Sequence, residues 1–157
     1  MATEVGPTEV KWLTPTEMAA WRAFIECHDD LITAIENDLA PSGLTLGDYQ
    51  VLVYLTEAEN AQMRMCDLAD MLQLSPSGLT RRLDGLVQSG WVERRNSEVD
   101  RRVMLAALTD AGRAELAAVA PNHVGSVRAR MIDVLDPDDH LAIARAFGKI
   151  RNALDAG

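Results

Sequence analysis

Cysteine is scarce in this 157-residue chain, where Cys27 and Cys66 are the two present. Two cysteines do not make a disulfide framework, so a reducing cytoplasm is the expected compartment. Histidine is also rare, at three widely separated positions with no Cys-x-x-Cys beside them, and no metal site or other cofactor is expected. No stretch approaches the ~18–20 consecutive apolar residues that a membrane span requires, which leaves the membrane out as a partner. The opening residues MATEVGPTEV hold no basic side chain and no apolar segment, so a secretory signal is not expected there. Also missing are a Gly-rich phosphate loop, a nucleophile elbow and a helix-borne metal motif, and an enzyme is not expected.

What remains is 48% apolar and 25% charged, an ordinary balance for one globular domain over residues 1–157. The net charge of −9 argues at first against a polyanionic partner. Its distribution reverses that argument. Residues 1–63 carry 2 basic and 11 acidic side chains, whereas residues 64–113 carry 8 and 7. Six of the 15 basic residues fall between Arg81 and Arg102, and all six are arginine. Local charge, not the total, decides where a polyanion docks.

Met18, Trp21, Ile25, His28, Ile32, Ile35 and Leu39 recur at steps of three and four, which predicts a long amphipathic helix from Pro15 to about Ala40. Thr14 and Glu17 form its capping box, and Pro41-Ser42-Gly43 stops it. A second helix is expected after Thr45, with Asp48 as the reciprocal cap, and residues 57–63 read as a polar connection. A short helix follows over Met65 to Leu72, and Ser75-Pro76 then opens another that runs to Ser89 and ends at Gly90. Trp91–Arg94 and Val103–Ala107 read as an antiparallel pair joined by the loop Arg95–Arg102. Thr109 caps a helix to about Val134 that Pro121 is expected to interrupt and bend, and Asp136-Pro137 opens the last one.

The fold class is therefore mainly α with a small β-ribbon. A tight helix-turn-helix followed by a hairpin makes a winged helix-turn-helix lobe at 45–108, with the wing at about 95–102. The long N- and C-terminal helices, at 15–40 and 110–155, carry apolar stripes longer than such a lobe covers, so they are read as dimerisation helices. On the helix from Pro76, 100° steps place Leu79, Leu83 and Leu86 on one side. Ser77 and Arg81 face the other way, with Gly78, Thr80 and Arg82 on the flanks. Small residues let such a helix enter a major groove ~12 Å wide, where an arginine forks onto guanine. Ser75, Ser77 and Thr80 are placed to reach phosphates, aided by the helix N-terminus. Arg94, Arg95, Arg101 and Arg102 frame the wing, and Asp100 reads as a brace folded onto Arg94 or Arg102. Arginine suits both phosphate forks and narrow minor grooves.

The run LSPSGLTRRLDGLVQSGWVERRNSEVDRRVMLAALTDAGR resembles the signature of the multiple antibiotic resistance regulator (MarR) family. The likeness rests on Ser75, Leu79-Thr80-Arg81, Leu83, Leu86, Gly90, Arg94, Asp100, Arg102, Leu108-Thr109 and Gly112-Arg113. It implies a homodimeric, nucleoid-associated transcription factor on a pseudo-palindromic double-stranded operator, most often a repressor. The family's helix contacts would fall on Ser75, Ser77, Thr80 and Arg81, and its wing contacts on Asp100 and Arg102. Which wing arginine reaches the groove floor stays open, since Arg95 and Arg101 are basic too. The resemblance also implies a small aromatic or anionic effector, for which Trp21, His28, Tyr49, Leu52 and Met71 are the candidate walls; His28, Trp21 and Tyr49 read by default as packing. Cys27, beside His28, invites a redox-sensing alternative that Glu26, Asp29 and Asp30 oppose by raising its pKa. Cys66 reads as small core filling. A winged-helix protein-interaction module is the other alternative, and it would want a neutral or acidic outer helix face and an uncharged wing.

Overall fold

The computed structural model describes residues 10–157. Its contacts divide the chain into two compact units, Met1–Thr33 and Ala34–Gly157. Helix α1 is Pro15–Leu39, and its start is the capping box read from sequence. The Thr14 amide donates to Glu17 Oε2 at 2.7 Å and the Glu17 amide donates to Thr14 Oγ1 at 3.3 Å. The Thr14 amide, and then the Thr14 hydroxyl, hold the Glu17 carboxyl below its ordinary range. Within the first unit Trp21, Phe24 and His28 form a row of rings, with centroids 6.1 Å and 5.7 Å apart. The expected stripe is exposed along this stretch, and Ile35 and Leu39, in the second unit, are its buried members.

In the second unit the order is a 3₁₀ turn Ala40–Ser42, α2 (Leu46–Glu57), a 3₁₀ turn Glu59–Ala61, and β1 (Gln62–Arg64). Then come α3 (Met65–Met71), α4 (Pro76–Gln88), β2 (Val92–Asn96), β3 (Met104–Leu108), α5 (Asp110–Val127), a π-turn Arg128–Ile132 and α6 (Pro137–Asp155). Local signals placed the helix starts well. Thr45 and Asp48 cap each other at α2, Ser75 Oγ accepts the Gly78 amide at 3.1 Å, and Asp136 pairs with Asp139 at α6. The core gathers Leu52, Leu55, Leu68 and Leu83, all fully buried, with Val51 and Val92 beside them. No helix among the described residues is long and apolar enough to cross a membrane.

Four expectations need correction. The connection at 57–63 contains a strand: β1 pairs antiparallel with β3, Gln62 opposite Ala107, so the sheet has three strands in the order β1-β3-β2. The hairpin begins one residue later than read, because Trp91 belongs to the joint before it. Gly90 adopts a left-handed φ of 75°, the Trp91 amide bonds back to the Leu86 carbonyl, and the Trp91 carbonyl receives the Thr109 amide at 3.1 Å. Pro121 does not interrupt α5, whose helix runs through it. The departure from α geometry lies instead at Arg128–Ile132, where the Asp133 amide reaches back five residues to the Arg128 carbonyl. Finally, Cys66 is exposed rather than core, its Sγ donating to Asp67 Oδ1 at 3.4 Å.

The π-turn abuts a charged clamp. Asp38, near the end of α1, receives a fork from Arg130 Nε and Nη2 at 2.7 and 2.9 Å and the Ser126 hydroxyl at 2.6 Å. The Arg130 bonds, then the Ser126 bond, pull the Asp38 carboxyl from 3.8 down to about 2. A depressed carboxylate stabilises the fold fully above its unfolded pKa and loses that contribution as pH falls toward the folded value. Asp38→Asn should therefore lower the melting temperature at neutral pH, and the gap to the parent should narrow between about pH 4 and pH 2. A gap as wide at pH 2 as at neutrality would exclude the clamp as a source of acid sensitivity.

Candidate nucleic-acid interface

Helix α4 is pinned from below by Leu79, Leu83 and Leu86, each at most 2% exposed, which turns Ser77, Thr80, Arg81, Asp84 and Gln88 outward. Its first turn is tightly organised. Ser75 Oγ lies 3.2 Å from Ser77 Oγ, and Thr80 Oγ1 donates to the Pro76 carbonyl at 2.9 Å. The Thr80 proton is directed at the Pro76 carbonyl, one of the two serine hydroxyl protons stays free to donate outward, and Gly78, which has no side chain, takes no room.

The arginines of α4 and of the hairpin with its wing fall into two groups. Arg82 turns back to α2, its Nη1 donating to Thr45 Oγ1 at 3.1 Å and Asp48 Oδ1 at 3.3 Å. It lies so close that a Cβ on Gly47 would stand 2.2 Å from Nη1. Arg94 reaches from β2 to α4, where Nη2 donates to the Thr80 carbonyl at 2.7 Å and Asp84 Oδ1 at 2.8 Å. Arg95 spans the sheet, its Nε donating to Gln62 Oε1 at 3.2 Å. These three are engaged within the fold. Arg81 and Arg101 form the other group: among the described residues neither guanidinium has a hydrogen-bonding or ion-pair partner. Arg102 stands between the groups, its side chain 91% exposed while Nε touches Asp100 Oδ1 at 3.2 Å.

The wing loop, residues 97–103, is braced from inside. Ser97 Oγ accepts the amides of Val99 and Asp100, and Val103 bonds back to the Asp100 carbonyl at 2.9 Å. Asp100 also accepts the Arg102 amide at 3.0 Å. Of the two partners expected for this brace, the structure thus selects Arg102 over Arg94. The Arg102 bonds hold the Asp100 carboxyl below its ordinary range, and the charge of Arg64 adds to the effect. Arg64 carries no local signal of this role in the sequence, because the pairing of β1 with β3 is what brings it beside the wing.

The candidate effector walls fall on both units, Trp21 and His28 on the first and Tyr49, Leu52 and Met71 on the second. Leu52 is fully buried, and Tyr49 is buried with its ring centroid 4.2 Å from that of His123. Burial pushes the Tyr49 hydroxyl up and the His123 imidazole down, both toward neutrality. Met71 is half exposed at the end of α3, whereas Trp21 and His28 are exposed on the first unit, His28 beside Asp29 at 3.0 Å. Cys27 is exposed.

The MarR family profile matches residues 42–103, from the turn before α2 through the wing. AbsC, a MarR family transcriptional regulator from Streptomyces coelicolor, is 40% identical with a TM-score of 0.89, over 94% of this chain and 100% of that one. This chain belongs to the MarR family of transcriptional regulators. Sco3205, another MarR family regulator from Streptomyces coelicolor, solved in complex with DNA, is 31% identical over 93% of this chain and 92% of its own, with a TM-score of 0.88. Among curated relatives, the transcriptional repressor YetL of Bacillus subtilis is 28% identical over 69% of this chain and 65% of its own length. The match to YetL thus spans less than two thirds of that relative. On this MarR-family chain the profile covers each of the arginines from Arg64 to Arg102, free and engaged alike.

Proposed function

We propose that this chain is a homodimeric, sequence-specific repressor that reads a pseudo-palindromic double-stranded operator in the cytoplasm and catalyses no reaction. One observation carries the reading: of the six arginines on α4, the hairpin strands and the wing, the two whose guanidinium groups have no hydrogen-bonding or ion-pair partner among the described residues, Arg81 and Arg101, sit on the outer face of α4 and on the wing, with Arg102 exposed beside the latter. Arg81 is the base reader in the major groove, flanked by Ser75, Ser77, Gly78 and Thr80 against the phosphates. Arg101 and Arg102 take the minor groove, Asp100 holding Arg102 in place. The DNA-bound state of Sco3205 and the repressor role of YetL support this assignment.

The dimer is supported by apolar surface in both units. Trp21 and Ile25 are 54% and 41% exposed, and on α6 Leu141, Ile150 and Leu154 are 68%, 53% and 73% exposed. Surface of that kind is covered by a second copy in symmetric assemblies. The deciding experiment is selection of bound duplexes from a random library. Two inverted half-sites spaced by one helical turn or a multiple are expected. An unsymmetrical single site, or no retained duplex at low ionic strength, would refute the proposal.

A further inference from the structure

Arg94 differs from the other engaged arginines in what surrounds it. It lies mid-strand in β2, opposite Ala106 of β3, and its side chain borders an apolar cavity of about 390 Å³ walled by Met65, Ala69, Leu79 and Met104. One nitrogen, Nη2, grips α4 at two successive turns, through the Thr80 carbonyl and the Asp84 carboxylate. Nε is shut away from solvent without a hydrogen-bond partner. An unsatisfied buried N–H beside apolar walls costs stability, and methionine would fill this space without that cost. The charge therefore serves something other than packing. The Thr80 carbonyl it holds belongs to the turn that presents Thr80 and Arg81 outward, while β2 itself leads into the wing.

The geometry points to Arg94 as a positioning residue: it locks α4 to the sheet that carries the wing, so that Arg81 and the wing arginines meet one duplex in a fixed register, and it does not touch DNA itself. This rests on the DNA-reading assignment made above. A contact residue and a positioning residue leave different marks. Removing a phosphate contact lowers the slope of log affinity against log salt by ~1 and weakens binding to every duplex alike. Removing a lock leaves the slope alone and erodes the preference for the selected site.

The test uses the full chain, the selected operator duplex and a scrambled duplex, with Arg94→Met, Arg94→Lys, Asp84→Ala and the double variant Asp84→Ala/Arg94→Met. Arg101→Ala provides the contact standard, and thermal melting checks folding. Arg94→Met should lose about tenfold in affinity for the operator, the scale of one charge-assisted hydrogen bond, with an unchanged salt slope and unchanged scrambled-duplex binding. Arg94→Lys keeps the charge but loses the two-point grip, and should not restore the preference. Asp84→Ala should shift the operator preference in the same direction, less far, and the double variant should be no worse than Arg94→Met. Asp84→Ala also carries the test if the Arg94 variants fail to fold. A salt slope that drops by ~1 in Arg94→Met and returns in Arg94→Lys would overturn the inference in favour of a phosphate contact. An operator preference untouched in both Arg94→Met and Asp84→Ala would overturn it as well. Parent protein that ignores the operator would instead remove the DNA-reading assignment, and this inference with it.

Discussion

Arg81→Ala is expected to weaken operator binding by about 1–3 kcal/mol per half-site and to abolish base preference at one position in each half, as loss of a bidentate guanine contact does. The expectation follows from how α4 is held. Three leucines anchor its inner face, and Ser75 and Pro76 fix its first turn. Arg94 holds the Thr80 carbonyl, one residue before Arg81. Arg81 thus projects from a fixed backbone with no internal partner to give up, so its contact with a base is not offset by a broken ion pair. The measurement is a panel of duplexes bearing every single base change, bound by the parent and by the variant. Preferences that survive intact at every position would exclude Arg81 as a reader and shift attention to the remaining polar groups of α4.

The second large effect concerns folding. Gly112, in the first turn of α5, faces the Trp91 carbonyl so closely that a Cβ would stand 2.1 Å from its oxygen and 2.8 Å from Leu108 Cδ1. That carbonyl cannot move away freely. It accepts the Thr109 amide and shares the Thr109 hydroxyl with the Gly90 carbonyl, which lies closer at 2.6 Å, and Thr109 Oγ1 in turn caps α5 by accepting the Gly112 amide at 3.0 Å. Gly112→Ala should cost about 3 kcal/mol, the upper range for overpacking. For a chain of this size that is a drop of roughly 6–12 °C in melting temperature. Gly148 supplies the contrast, since nothing lies within 4 Å of a Cβ there. Gly148→Ala should stabilise α6 by about 0.5–1 kcal/mol through helix propensity alone. Opposite signs at the two glycines, measured by urea and thermal unfolding, are the expected outcome; two gains would show that the contact with Trp91 is not tight.

The sequence was most legible where its signals are local. Capping pairs three residues apart placed the starts of α1 and α2, and Ser75-Pro76 and Asp136-Pro137 placed those of α4 and α6. Strand β1 escaped because three residues are too few to show alternation, and what makes Gln62–Arg64 a strand is a partner more than forty positions away. The arginine cluster was visible as a cluster, yet its division into engaged and free members was not. Helical steps put Arg82 on a flank of α4, but its commitment to Asp48 depends on how α2 crosses that flank, 34 positions earlier in the chain. Arg94 and Asp84 are ten apart and lie on different elements, so no periodicity connects them. Cys66 was misjudged for a related reason: residue type favours burial, while its position on a seven-residue helix put it outside.

The third strand changes what kind of wing this is. An isolated two-stranded hairpin is marginal in water and would have to stiffen upon docking. Here β1 flanks the hairpin along β3 and Gln62 ties down Arg95, so the residues outside the paired strands are those of the loop 97–103. Little conformational entropy is left to surrender at the moment of encounter, which favours capture on first collision over slow accommodation. Under the DNA-reading role proposed above, the same stiffness would narrow the range of helical phase and groove width that one arm tolerates, making selectivity for spacing a property of the scaffold as much as of the bases.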